Sequence, residues 1–163
     1  MQKMKLKIQK LPHFHGELPA YQSAGASGFD VRAQLAQELT ILPGQRKLIP
    51  TGLAFEIPLG FEIQVRPRSG LAIKNGISMV NTPGTIDADY RGEVQVILIN
   101  HGQEPFVIRD QDRIAQFVLC PVWQADFELT ENLSSTDRGA GGFGSTGVGT
   151  DPRAPLSRAN AIC

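Results

Sequence analysis

At 163 residues the chain is long enough for one domain with a real core, and 41% apolar against 20% charged residues excludes a disordered composition. Lys and Arg number 16 and Asp and Glu number 16, a balance that argues against long nucleic-acid tracts, which demand a basic face, yet leaves room for a phosphate ligand held by a few local arginines. Cys120 and Cys163 are the only cysteines, too few for a disulfide framework and without metal-ligand spacing, so a reducing compartment is the simplest reading.

From the N-terminus, Met4, Leu6 and Ile8 alternate with Lys5, Lys7 and Gln9, the period of a strand with its lysines toward water. No apolar stretch of about 7–15 residues marks a signal peptide, and none approaches the roughly 18 of a membrane span. The expectation is a cytoplasmic protein with no membrane partner. Short apolar or alternating runs at 39–42, 47–55, 61–66, 77–80, 94–100, 106–108, 113–120 and 122–129 read as strands. Phe61, Ile63 and Val65 share one face of their run, and Glu62, Gln64 and Arg66 the other. Turns of L-P-G at 42–44, I-P-L-G at 57–60 and T-P-G at 82–84 punctuate them, which suggests a sandwich, jelly roll or barrel. The spacing predicts one short helix, capped by Ser69, running through Leu71, Ala72 and Lys74, and ended by Gly76. Beyond Leu129 the chain turns polar, then glycine-rich, then loses all apolar pattern. We expect a β-domain over 1–130, an arm over 131–149 that orders on a ligand or neighbour, and a loose tail over 150–163.

Five segments carry chemistry. In 138–147, R-G-A-G-G-F-G-S-T-G, glycines let backbone amides approach an anion, Ser145 and Thr146 add hydroxyls, and Arg138 adds a forked cation. Phe143, an aromatic among glycines, suits stacking on a planar base. Composition alone does not separate this loop from a flexible linker. In 67–72, P-R-S-G-L-A, Arg68 and Ser69 open the predicted helix, which fits a phosphate site or an ordinary cap. In 81–93, N-T-P-G-T-I-D-A-D-Y-R-G-E, we expect Asp87 and Asp89 to face opposite ways and to do different jobs. One of them can then activate a water, although an acidic turn explains the pair equally well. Asp30 follows a small-residue turn in A-G-A-S-G-F-D-V-R-A, 24–33, and Gln116 lies on the apolar run D-R-I-A-Q-F-V, 112–118. Asp112 and Arg113 read as a salt-linked turn, and His13, His15 and His101 as loop or surface residues without triad or metal spacing.

In this order and across most of the chain, the five segments closely resemble the trimeric dUTP diphosphatase (dUTPase) family. The resemblance implies an all-β, distorted jelly-roll fold with one short helix, and a homotrimer whose sites lie between subunits. It implies hydrolysis of dUTP to dUMP and pyrophosphate with Mg²⁺, most of whose ligands are substrate oxygens and water. Asp87 is then the water-activating carboxylate. Asn81, the backbone of Thr85, Ile86 and Asp87, and Gln95 match the uracil-reading edge, and Tyr90 the platform under the deoxyribose. Arg68, Ser69, Gly70 and Gln116 resemble phosphate contacts, and Asp30 the residue near metal-bound waters. Arg138, Phe143, Gly144, Ser145 and Thr146 resemble the contacts of the arm. Two rival readings share the scaffold: a dCTP deaminase-like enzyme, and a nucleotide-binding module without turnover. The family commonly ends soon after the arm; the extension over 148–163 is expected to be a disordered appendage rather than a docking peptide, with no catalytic role for Cys163.

Overall fold

A computed structural model describes residues 3–144. The chain divides into two compact units, Met1–Gln124 and Ala125–Cys163. All regular structure among the described residues lies in the first: β1 (Lys7–Lys10), β2 (Phe29–Arg32), β3 (Leu39–Ile41), β4 (Arg46–Pro50), β5 (Leu53–Glu56), β6 (Phe61–Arg66), α1 (Ser69–Asn75), β7 (Ile77–Met79), β8 (Gly84–Ile86), β9 (Gln95–Asn100), β10 (Phe106–Ile108) and β11 (Arg113–Pro121). The strands form a four-stranded sheet β2-β11-β6-β8, a three-stranded sheet β4-β9-β7, and the pairs β1-β5 and β10-β3. Every pairing is antiparallel, and the all-β expectation is met.

The four-stranded sheet positions the functional residues, because its two faces are chemically unlike. Gln116 pairs with Asp30 on one side and Arg66 on the other, and Gln64 pairs with Thr85. Directly opposed residues share a face, so these polar side chains form one row facing away from the core. On the opposite face Phe29, Val31, Ile63, Val65, Ala115 and Phe117 are at most 5% exposed. Phe29, Phe55 and Phe117 pack with ring centroids 5.8–6.5 Å apart, and each buried ring contributes about 1.5–3 kcal/mol.

Helix α1 starts and stops for identifiable reasons. Its N-cap is Arg68, in extended backbone with no side-chain cap, so Ser69 is the first helical residue rather than the expected cap. Gly76 ends it at φ 67°, donating to Ala72 O. There the backbone meets a second turn at van der Waals limits: a Cβ on Gly76 would lie 2.5 Å from Gly102 N. That turn is fixed by the buried Asn100, whose amide donates to Ile41 O (2.9 Å) and Glu104 O (2.8 Å) and accepts from Gly102 N (2.8 Å).

Other boundaries depart from the sequence reading. The run 47–55 is two strands, β4 and β5, broken at Thr51–Gly52. Pro50 offers no amide to continue the ladder, and Gly52 adopts φ 65° with Phe14 Cβ only 3.0 Å from where a side chain would begin. The run 122–129 forms no strand: past Val122, which donates to Gly60 O, no ladder continues. Trp123, Phe127 and Leu129 are 95%, 93% and 100% exposed. An apolar run needs a neighbouring strand, and among the described residues no strand pairs with this one. Strands β2 and β8, short and bounded by glycine, carry no periodic signal long enough to stand out.

The described part of the second unit, 125–144, contains no helix or strand. It holds a tight turn in which Gly139 N donates to Thr136 O, Gly141 N to Arg138 O, and Arg138 Nε to Gly141 O (2.7 Å).

Candidate active site

At the end of β6 the chain leaves the sheet and enters α1, bringing Arg68, Ser69 and Gly70 beside Asp30 of β2 and Gln116 of β11. These five, with Lys74 and Asn75, line an open cleft of about 470 Å³. Asp30 is the hub. Arg68 Nε donates to its Oδ1 (3.1 Å) and Nη2 to its Oδ2 (3.3 Å), while Arg113 Nη1 reaches Oδ2 at 3.3 Å. Arg68 Nη1 also donates to Arg113 O (3.2 Å). Gln116 Nε2 donates to Pro67 O (3.1 Å), tying β11 to the start of the helix. Gly28 keeps room for that amide, since a Cβ there would sit 3.2 Å from Gln116 Oε1. Arg68 and Lys74 against the one carboxylate of Asp30 leave the lining net positive, suited to an anion.

A second cleft opens at the end of β8. Strand geometry stops at Ile86, Asp87 follows, and residues 88–89 turn so that Tyr90 N donates to Asp87 O (3.2 Å). Thr85, Ile86, Asp87, Tyr90 and Gln95 line this cleft of about 260 Å³. Arg91 Nη1 braces the turn by donating to Ala88 O (2.7 Å). Residues two apart on a regular strand share a face, so strand geometry gives Asp87 and Asp89 no reason to diverge, and both border a groove with Leu59, Glu62 and Trp123. Only Asp87 also borders the cleft of Tyr90. Asn81 lies outside that lining; its amide nitrogen packs over Gly84, 3.1 Å from where a Cβ would stand.

Tyr90 is held by its own loop. Its hydroxyl donates to Glu93 O (2.9 Å), and its ring covers Gly92. The Glu93 carboxylate accepts from Gly52 N (2.7 Å), meets His13 Nε2 at 2.9 Å and approaches Gln95 Nε2 at 3.4 Å. Glu93 carried no role in the sequence analysis and Arg113 only a structural one; a charged residue three positions from Tyr90 and from Gln116 was the available signal. Asp112 and Arg113 do not form a salt-linked turn. Asp112 Oδ2 accepts Arg109 N (2.8 Å), and Arg113 turns instead to Asp30.

The two clefts occupy different ends of β6. Ile86 pairs with Ile63, whereas Arg68 lies two residues past the far end of the strand at Arg66. Asp30 and β8 sit on opposite edges of the same sheet. In a single chain, therefore, the Asp87 cleft and the Arg68 cleft are separate. Of the arm residues, Arg138 folds back on Gly141, Phe143 is fully exposed at φ 50°, and Gly144 adopts φ 82°. Ser145, Thr146 and the tail 150–163 lie outside the described residues.

Away from both clefts, His15 Nε2 meets Asp110 Oδ2 at 2.6 Å. That bond, with a weaker one to His13 O, raises the His15 pKa. Burial pushes Asp110 up, but bonds from Leu35 N and His15 outweigh it and hold the carboxyl below its ordinary value.

A family model described as dUTPase matches residues 15–147, which spans every segment placed above except the first strand. The chain belongs to the dUTPase family. It is 67% identical over 147 residues to the deoxyuridine 5'-triphosphate nucleotidohydrolase of Bdellovibrio bacteriovorus, covering 90% of this chain and 99% of that one. The protein of the same name from Nautilia profundicola is 59% identical over 144 residues, covering 88% and 99%. Among solved structures, the Staphylococcus bacteriophage 80alpha dUTPase with dUPNHPP superposes with a TM-score of 0.79, covering 90% of this chain and 100% of that chain at 24% identity. The dUTPase of phage phi11 of S. aureus, described with a structural Mg(II) ion, gives a TM-score of 0.70 at 20% identity, covering 79% and 98%. At such identities the likeness concerns the fold, and the strands and single helix described above are the dUTPase fold.

Proposed function

We propose that this dUTPase hydrolyses dUTP to dUMP and pyrophosphate, with Asp87 activating the attacking water, and that it thereby clears dUTP and supplies dUMP for thymidylate synthesis. The observation that carries the reading is Asp87 at the mouth of a cleft it shares with Tyr90 and Gln95. A carboxylate at the rim of a nucleoside-sized cleft can orient a water and accept its proton. Tyr90, pinned through Glu93, packs against the sugar where a 2′-hydroxyl would clash. Backbone groups of Thr85, Ile86 and Asp87, with Asn81 and Gln95, read the uracil edge, and fixed polar partners of this kind discriminate strongly.

The Arg68 cleft supplies the phosphate half. Arg68, Ser69, Gly70 and Gln116 offset charge developing on the triphosphate as the bond between its α and β phosphates breaks. Among the described residues no group of three or more His, Cys, Asp or Glu converges as a metal cage. A single carboxylate, Asp30, within a phosphate cleft fits a hard cation held chiefly by substrate oxygens. Bound there through water to Asp30, Mg²⁺ would neutralise phosphate charge.

Separation of the two clefts toward opposite ends of β6 supports a homotrimer in which Asp87 of one copy meets Arg68 of another. The exposed apolar residues Trp123, Phe127, Leu129 and Leu133 favour coverage by a second copy. As the family resemblance implies, we assign Arg138 to a phosphate and Phe143 to the base, whereas Ser145 and Thr146, given the same role from the sequence, lie outside the described residues. No helix among the described residues is long and apolar enough to cross a membrane; we place the enzyme in the cytoplasm, in keeping with its sparse cysteines. Pyrophosphate release with dUTP, dTTP, dCTP and UTP, with and without Mg²⁺, tests the reading. Release from dUTP alone, dependent on Mg²⁺, is expected; ammonia from dCTP, or tight dUTP binding without release, would overturn it.

A further inference from the structure

We propose that Arg113 is a positioning residue that keeps Asp30 paired while Arg68 transfers from that carboxylate to the incoming triphosphate. The inference rests on the phosphate reading of the Arg68 cleft. As the chain stands, the fork of Arg68 is committed to Asp30 through Nε and Nη2, and its third nitrogen to Arg113 O. A guanidinium grips a phosphate through one of its two-pronged edges; the Nε/Nη2 edge of Arg68 is spent on Asp30 and Nη1 is engaged by Arg113 O, so we take a bidentate grip on substrate to release Arg68 from Asp30. The Asp30 side chain is only 16% exposed, and a carboxylate so enclosed that loses its cation is strongly disfavoured. Arg113 already contacts Oδ2 at 3.3 Å and is the more exposed partner, at 41% against 30% for Arg68. It remains on Asp30 when Arg68 leaves.

The backbone is bent to make this possible. Arg113 pairs with Arg32, Ala115 with Val31 and Gln116 with Asp30, so the register slips by one residue between Arg113 and Ala115. In an unbroken strand, positions 113 and 116 would point to opposite faces. The slip sends Ile114 and Ala115, 1% and 0% exposed, into the core and leaves Arg113 and Gln116 both beside Asp30. A bulge re-aims a side chain in this way, and here the re-aimed group is the second cation on the hub carboxylate.

The test is titration calorimetry without added metal, using dUMP and a non-hydrolysable α,β-imido analogue of dUTP. For Arg113→Gln, affinity for the analogue is expected to fall about tenfold or more while that for dUMP changes less than about threefold, because the untended Asp30 retains Arg68. In an Asp30→Asn background, where nothing holds Arg68, the same substitution should have no further effect. Arg113→Lys, which keeps the charge at a contact made through one nitrogen, should stay within about threefold of wild type. Unchanged analogue affinity in Arg113→Gln, equal losses for both nucleotides, a loss that persists beside Asp30→Asn, or a tenfold loss in Arg113→Lys would each overturn the inference. Wild-type protein that binds neither nucleotide would instead refute the phosphate reading itself.

Discussion

A methyl group placed on Gly92 would collide with the phenol of Tyr90: its Cβ would contact Oη and lie 2.7 Å from Cζ and 3.1 Å from Cε2. Gly92 has no positive φ, so alanine meets no backbone objection there. The obstacle is the free end of a ring that is 44% exposed, and the ring can swing outward. Doing so sacrifices the 2.9 Å bond from Tyr90 to Glu93 O, worth about 0.5–1.5 kcal/mol. At this chain length each kcal/mol moves Tm by about 2–4 °C, so Gly92→Ala should lower Tm by no more than a few degrees. Catalysis should suffer far more, because a misplacement of about 1 Å in a positioning group costs on the order of 10²-fold. Thermal melts and pyrophosphate release on the same preparations separate the two effects, with Tyr90→Phe as a control that loses only the hydrogen bond. We expect kcat/KM for dUTP to fall about 100-fold in Gly92→Ala, with a narrowed preference over UTP, and only a few-fold in Tyr90→Phe. Wild-type kcat/KM and sugar preference in a folded Gly92→Ala protein would refute the role of Tyr90 as the sugar platform.

Asp87→Asn should bind the α,β-imido analogue within a few-fold of wild type while pyrophosphate release falls by about 10²–10⁴; turnover close to wild type would reject Asp87 as the base. His15→Gln removes the bond to Asp110, whose contribution is present below the ordinary His value of 6.5 and lost as pH rises through the raised one, and is present above the ordinary Asp value of 3.8 and lost as pH falls through the lowered one. The stability gap between wild type and His15→Gln in urea should therefore be widest between those ordinary values; a gap that stays constant from mildly acidic to alkaline pH would contradict the pairing. Gly76→Ala places a side chain at φ 67° and 2.5 Å from Gly102 N, which should cost about 2–4 kcal/mol of stability in denaturant; a loss below about 1 kcal/mol would mean the two turns do not abut.

Much of the fold was legible because its signals are local. The alternation over Phe61–Arg66 is a two-residue period that survives into the sheet unchanged, and Gly76 stops α1 by its own backbone freedom. A turn at Asp87–Tyr90 was one of the readings that segment allowed, since the turn and its bracing by Arg91 lie within a few residues. What the sequence hid are consequences of register and distance. Nothing local to Thr51 and Gly52 says that the chain must turn there, because Phe14 and Gln34 impose the constraint. Arg68 meets Asp30 across 38 positions and His13 meets Glu93 across 80, pairings that only the completed sheets create. The slip at Ile114 exists only relative to β2, so Arg113 read as part of a turn. The divergence expected of Asp87 and Asp89 inverted the alternation rule, under which residues two apart share a face.

Opposite ends of β6 holding the two halves of the chemistry lead to a test that does not depend on seeing an assembly. Suppose that each site takes Asp87 from one copy and Arg68 from its neighbour around a ring. A chain carrying Asp87→Asn and a chain carrying Arg68→Gln are each inactive alone, since every site in either pure assembly lacks one group. Mixed, denatured and refolded together in equal amounts, a site is intact when its Asp87 donor is the Arg68→Gln chain and its Arg68 donor is the Asp87→Asn chain. Those are independent choices of about one half each, so about one quarter of sites in a closed ring should regain full composition. Pyrophosphate release should then recover to about a quarter of the wild-type rate, with KM close to wild type because each restored site is complete. If instead the two clefts of one chain came together by an internal movement, every site would keep its own defect. The mixture would then show no more activity than the sum of its parts, and the shared site would have to be abandoned.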